Sequence, residues 1–135
     1  MNAVESYFGT SGFWASGFLN LTPMEAYIHC RQGALLLDVR LPYFVGFKCF
    51  DVPKIIAIPL TELELKMKEL PTDNPIIVAD SVGLHSHEAM LMLQEAGFKN
   101  IANLAGGMAE WEHDGLPIKL DIQYRLSGSC VCQLK

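Results

Sequence analysis

An α/β fold built on a largely parallel sheet is what this chain predicts, and three observations predict it. Short apolar runs without polar alternation recur, as ALLLDV (34–39), KIIAIPL (54–60), Ile76-Ile77-Val78 and NIANL (100–104). Such runs read as strands covered on both faces. Segments with helical period lie between them, so strands alternate with helices as in βαβ crossovers. Gly, Pro and capping residues punctuate the boundaries.

The elements follow in order. Thr22 is a candidate N-cap, with Pro23 at the first helical position and Glu25 three residues beyond the cap; the helix 23–32 would end at Gly33. The strand 34–39 is closed by Asp38 and Arg40. Residues 40–53 carry Pro42, Gly46 and Pro53 and read as irregular. The short strand 54–60 stops at Pro59. A second cap pattern, Thr61 with Glu64, opens a helix over 61–70 whose Leu63, Met67 and Leu70 share one face. The strand at 76–78 hands over through a loop, 79–85, to a helix from Ser86 that presents Ala89, Met90 and Leu93 in period. Gly106-Gly107 starts a last helix carrying Trp111. Ile118, Leu120, Ile122, Tyr124 and Leu126 then alternate with Lys119, Asp121, Gln123 and Arg125, the mark of a half-buried strand. Gly128 leads into Cys130-Val131-Cys132.

A chain of 135 residues suits one domain and buries roughly two-thirds of its unfolded surface. The net charge of −5, with no Lys/Arg cluster, argues against nucleic-acid and anionic-membrane partners. No run reaches the roughly 20 apolar residues of a membrane span. The N-terminal stretch SYFGTSGFWASGFLNL is aromatic and nearly uncharged, without the basic start of a secretory signal, and reads as a segment that packs on the body or on a partner. Four cysteines, Cys30, Cys49, Cys130 and Cys132, do not demand disulfides in a domain with a real core, and a reducing cytoplasm is the expected setting. Cys30 reads as packing, and Cys49 lies beside apolar residues of the irregular segment.

The loop 79–85 sits where a strand ends and a helix begins, at the carboxyl end of a parallel strand, where ligands bind in such sheets. Loop amides and the helix dipole make an anion cradle there. LTPMEA, LLLDVR, IPLTEL, the loop, and LAGGMAEWEHDGLPI, in this order, resemble the rhodanese family of sulfurtransferases over about residues 21–118. The resemblance implies a five-stranded parallel sheet flanked by helices, to which the alternating tail would add a C-terminal strand. It divides the chain into an aromatic, Gly-containing extension (1–20), the rhodanese-like domain (21–118), and a strand with a CxC tail (119–135). It implies transfer of a sulfane sulfur from a donor to a loop cysteine, as a persulfide, and on to a thiol acceptor, with no cofactor and no metal.

The loop departs from that pattern. Matching the family's glycine to Gly83 and its serine to Ser86 puts Asp80 at the nucleophile and His85 at the arginine. A register one residue longer, resembling related phosphatases, puts Ala79 at the nucleophile; a hydrolase then lacks both cysteine and arginine. A carboxylate is not the soft nucleophile that forms a persulfide. Ser81, Val82, Gly83, Leu84, His85 and Ser86 form the candidate anion-binding loop, with Ser86 first of all an N-cap. His85 suits an anion when protonated. Cys130 and Cys132 suit redox exchange or persulfide relay, and a nine-residue strand from Ile118, roughly 30 Å long, can return them to the loop of their own or a neighbouring chain. Two readings stand: a rhodanese-type sulfurtransferase or persulfide carrier whose tail supplies thiols, and a non-catalytic module that binds an anion or a protein. The aromatic N-terminus and amphipathic tail are compatible with a homodimer under either.

Overall fold

The computed structural model describes residues 7–121. Its central sheet has six strands in the order β1-β2-β7-β6-β3-β5. Strands β2 (Phe18–Leu21), β7 (Ile101–Leu104), β6 (Ile76–Ala79), β3 (Leu35–Asp38) and β5 (Ile55–Ala57) run parallel. Five parallel strands is the number the resemblance implies, but only four of them are the apolar runs read as strands; β2 lies in the stretch read as an N-terminal extension, and β1 (Phe13–Ala15) is added antiparallel at the edge through a hairpin with β2.

The unalternating strands are covered twice, as their composition requires. In β3, Leu36 enters one core cluster while Leu35 and Leu37 enter the other; in β6, Ile77 and Ala79 divide from Ile76 and Val78 in the same way. Helices α1 (Pro23–Arg31) and α5 (Gly107–His113) contribute Ala26, Cys30, Met108 and Trp111 to the first cluster. Helices α3 (Leu60–Lys66) and α4 (Ser86–Glu95) contribute Leu63, Ala89, Met90 and Leu93 to the second. Among the described residues no helix is long and apolar enough to cross a membrane.

The first helix starts as its sequence dictates. Glu25 N–H donates to Thr22 Oγ1 at 3.2 Å and Thr22 N–H donates to Glu25 Oε1 at 3.0 Å, a reciprocal capping box. The second cap pattern fails. Thr61 lies inside α3, whose N-cap is Pro59, and the helix tightens into a 3-10 turn at Met67–Glu69.

Residues 40–53 are more ordered than their composition suggests. They hold α2 (Pro42–Phe47), started by Pro42 in its first turn, and β4 (Lys48–Phe50). β4 forms a second, two-stranded antiparallel sheet with β8 (Ile118–Leu120), in the register Lys48↔Leu120, Cys49↔Lys119, Phe50↔Ile118. This pairing across the sequence is invisible locally, which is why the segment reads as loop. The expected C-terminal strand is therefore present over 118–120; the rest of the alternating run and the CxC motif lie outside the described residues.

Candidate functional site

Two neighbouring strand ends build the site. From β3 the chain moves outward to β5, whereas from β6 it moves the other way to β7. This reversal is a topological switch point, where an open α/β sheet has its crevice.

At the end of β3, Asp38 is fully buried and accepts from Arg40 Nη2 at 2.8 Å, Nε at 3.0 Å and the backbone N–H at 3.1 Å. The same guanidinium donates to the Lys48 carbonyl at 2.7 Å and lies 5.4 Å from the centre of the Phe50 ring. A buried ion pair is tolerable only when paired and hydrogen-bonded this fully. It ties the strand end to β4 and holds α2 beside the crevice. The sequence shows Arg40 only as a strand terminator; an arginine two residues after a carboxylate, at the end of an apolar strand, is the signal that marks it.

At the end of β6, Ala79 is the last strand residue, fully buried and in register with Asp38. Asp80 follows, 3% exposed, with its carboxylate turned back into the loop. It accepts from the N–H of Gly83, from that of His85 at 2.6 Å and from that of Ser86 at 3.0 Å. The amide cradle exists, and its occupant is the chain's own carboxylate. These bonds also satisfy orphan donors at the start of α4. The sequence predicts that Ser86 caps that helix through its hydroxyl; instead it is the first helical residue, and its Oγ is buried without a partner. Asp80, six positions upstream of Ser86, does the capping.

The loop is held from behind by the Gly-Gly pair. Met108 N–H donates to the Asp80 carbonyl at 2.8 Å and Ala109 N–H to that of Ser81 at 2.9 Å. A Cβ on Gly107 would come within 2.7 Å of the Ser81 carbonyl carbon, and one on Gly83 within 2.8 Å of Gly106 N. Both glycines have positive φ, 59° and 89°. The backbone-on-backbone contact explains why the motif needs these residue types.

Ser81, Val82, Leu84 and His85 are exposed, and Gly83 is buried. A cleft of about 350 Å³ lies over the loop, between Arg40, Phe44 and Leu60 on one side and Asp80, Val82 and His85 on the other. A second, of about 520 Å³, adjoins it between Tyr43, Phe47, Lys48, Val82 and Met108. Leu41, Tyr43, Phe44, Val82 and Leu84 give this face an exposed apolar rim. Lys48 bridges to Glu112 at 2.5 Å.

The cysteines differ. Cys30 is a free thiol, wholly buried, and burial pushes it up to about 12, so it is protonated and inert at neutral pH. Cys49 is buried on β4 against Val45 and Ala57 and takes part in a disulfide. Cys130 and Cys132 lie outside the described residues. Among the described residues, Glu110, His113 and Asp114, all exposed, bring ligand atoms within 4.8 Å of one another at the end of α5.

An open, mostly parallel sheet with a loop at its switch point, backed by a Gly-Gly helix start, defines a single class of α/β domain. Residues 22–114 match the family model described as the Rhodanese-like domain, and the chain belongs to that family. A thiosulfate sulfurtransferase GlpE from Haemophilus influenzae is 32% identical over 102 residues, covering 75% of this chain and 94% of that protein. A sulfurtransferase from Allochromatium vinosum is 29% identical over 87 residues, covering 64% and 79%. Among solved structures, the polysulfide-sulfur transferase homodimer from Wolinella succinogenes matches with a TM-score of 0.69 at 28% identity, covering 79% of this chain and 82% of that one. A rhodanese-related protein from Thermoplasma volcanium matches with a TM-score of 0.68 at 29% identity, covering 76% and 98%.

Proposed function

We propose that this protein is a sulfur carrier of the rhodanese family whose loop is a closed scaffold and whose CxC thiols take the sulfur. One observation carries the reading: the Asp80 carboxylate fills the cradle that would otherwise hold an anionic sulfur species. In this reading Asp80, not Ala79, stands at the nucleophile position, because Ala79 is still paired within β6. A carboxylate there neither forms a persulfide nor admits a second anion. Its three bonds leave the loop little reason to open.

With the chain reduced, the thiols of Cys130 and Cys132 are the candidate soft nucleophiles, since Cys30 and Cys49 are both sealed in the core. A tail thiolate attacks the outer sulfur of a donor such as thiosulfate. The new S–S bond forms as the old one breaks, sulfite leaves with the bonding pair, and the persulfide passes its outer sulfur to an acceptor thiol. The relatives named as sulfurtransferases support donor and acceptor classes of this kind.

The test is to reduce the full chain, remove the reductant, incubate it with thiosulfate, and separately with polysulfide, and measure intact and peptide masses. The expected result is one added sulfur on Cys130 or Cys132, removed by a thiol acceptor. Absence of an adduct on any cysteine from either donor overturns the carrier reading. The exposed apolar rim around the loop favours a second reading, a non-catalytic module that docks a protein, and that is what the negative result would leave. A homodimer fits either reading, and sedimentation of the purified chain decides it.

A further inference from the structure

We propose that the cleft of about 350 Å³ over the loop binds a small organic cation, an ammonium group carried on an apolar or aromatic body. The inference shares the plugged loop with the carrier reading above and does not depend on the tail thiols.

The charges around the cleft decide the sign of its ligand. The ionisable residues that line it are Arg40, Asp80 and His85. The Arg40 guanidinium is engaged within the fold: it binds Asp38 through Nε and Nη2 and donates to the Lys48 carbonyl, and its side chain is 5% exposed. Arg40 and Asp38 therefore cancel. Asp80 is held by three backbone N–H groups and by no cationic side chain among the described residues. The start of α4, which supplies two of those amides, contributes roughly half a positive charge. A net negative charge remains beneath the cleft. Lys48, in the adjoining cleft, is paired with Glu112, and His85 at the exposed rim adds positive charge only when protonated.

The walls agree with that sign. Val39, Leu41, Leu60 and Val82 line the cleft, and apolar walls focus the field of a buried charge into the opening. Phe44 lines both clefts and is exposed, with Tyr43 edge-on beside it at 5.6 Å between ring centres. An aromatic face attracts a cation, while the apolar walls take its hydrocarbon. Thr61 and Ser81 add hydroxyl oxygens able to accept from an ammonium N–H. A volume of 350 Å³ lies near the lower end of small-molecule pockets, so the ligand is a compact monoamine rather than a folded segment of a partner. An anion would meet the Asp80 charge with its amides already engaged. The plug thus reverses the charge preference of the crevice.

The experiment titrates the full chain with phenethylammonium, phenethyl alcohol and hydrocinnamate, which put a cation, a neutral group and an anion on similar aromatic bodies, and follows backbone amide NMR shifts. The expected result is saturable shifts at Phe44, Val82 and His85 with the cation, at an affinity roughly tenfold above that of the alcohol, with hydrocinnamate the weakest. Asp80→Asn keeps an oxygen for the loop amides and removes the charge, so it should bring the cation down to the level of the alcohol. Val82→Lys changes a side chain that is open to solvent, and it should weaken the cation roughly tenfold while strengthening hydrocinnamate. The proposal is overturned if the parent does not bind the cation, binds all three ligands equally, or shows shifts centred outside the cleft. A Val82→Lys protein that binds the cation as the parent does overturns it as well. No readout involves a sulfur donor or a cysteine, so a failed thiosulfate labelling leaves the result intact.

Discussion

Asp80 shows how one residue can convert a reactive loop into a structural one. Its carboxylate accepts three backbone N–H groups. Charge-assisted bonds of this kind are about twice as strong as neutral ones, and an external anion would have to displace a group tethered to the same chain. Asp80→Ala should therefore do two things. It should lower stability by about 2 kcal/mol, because donors at the start of α4 lose their partner. It should also open the cradle, so that sulfate or thiosulfate raises the melting temperature of the variant and not of the parent, by mass action. A thermal-shift titration reads both; an equal response of the two proteins would mean that Asp80 is not the plug. Asp80→Cys carries the argument further, since a thiolate in the same amides should take up sulfur from thiosulfate at residue 80, readable as a peptide mass. Sequence alone names the residue and the missing cysteine. It does not say which way the carboxylate points, because that depends on Gly83 turning its N–H inward at a positive φ and on α5 closing the loop from behind.

At the scale of elements, the site is a meeting of the loop, α5 and the segment after β3. The loop and α5 touch through backbone, so Gly107→Ala should be far costlier than a surface glycine change: the new methyl meets Ser81 and Val82 backbone atoms below 3 Å at a φ of 59°. A loss of about 3 kcal/mol or more in denaturant unfolding is expected, against about 1–2 kcal/mol at Gly97, where nothing lies within 4 Å of an added methyl and only the backbone conformation resists. The segment after β3 hangs on Arg40. Arg40→Met strands the Asp38 carboxylate in the core and frees the Lys48 carbonyl, a loss of about 3–5 kcal/mol; Asp38→Leu combined with Arg40→Met should recover much of it, which chemical denaturation of the single and double variants measures. These elements also mark the limit of sequence reading. Strands β3 and β6 are legible because residues on both faces are apolar, and α1 because its capping box is entirely local. Helix α2 and strand β4 are not, because they are held by Arg40 and by β8, more than sixty residues downstream of the strand it pairs with.

At the scale of the whole molecule, the N-terminal segment is bound into the domain, and two titratable groups of α1 hold it there. Phe8 is 1% exposed within the first core cluster. His29 packs edge-on against Phe8 and hydrogen-bonds through Nε2 with Ser11 Oγ at 3.0 Å, while Glu25 accepts from Gly12 N–H at 3.0 Å. Burial holds His29 below the usual imidazole value, opposed by the charge of Glu25. The N–H of Thr22 foremost, then that of Gly12, holds Glu25 below the usual carboxylate value against the opposing effect of burial. The signs are the same for both. Below the ordinary imidazole value of ~6.5, the unfolded chain takes up a proton that the native His29 refuses, so stability falls as pH drops from there through the folded value. Below the ordinary carboxylate value of ~4.3, the unfolded Glu25 protonates before the native one, and its contribution disappears as pH passes through the folded value. The melting temperature should accordingly be level from neutrality up to the ordinary thiol value of ~8.5, fall above it because the buried Cys30 resists ionisation, and decline in two steps on acidification. His29→Gln should flatten the first step and Glu25→Gln the second, with amide exchange at Ser11 and Gly12 accelerating over the same pH ranges in the parent. A first step that persists unchanged in His29→Gln would move that acid sensitivity away from His29 and leave Glu25 as the titratable group of α1 that holds the N-terminal segment.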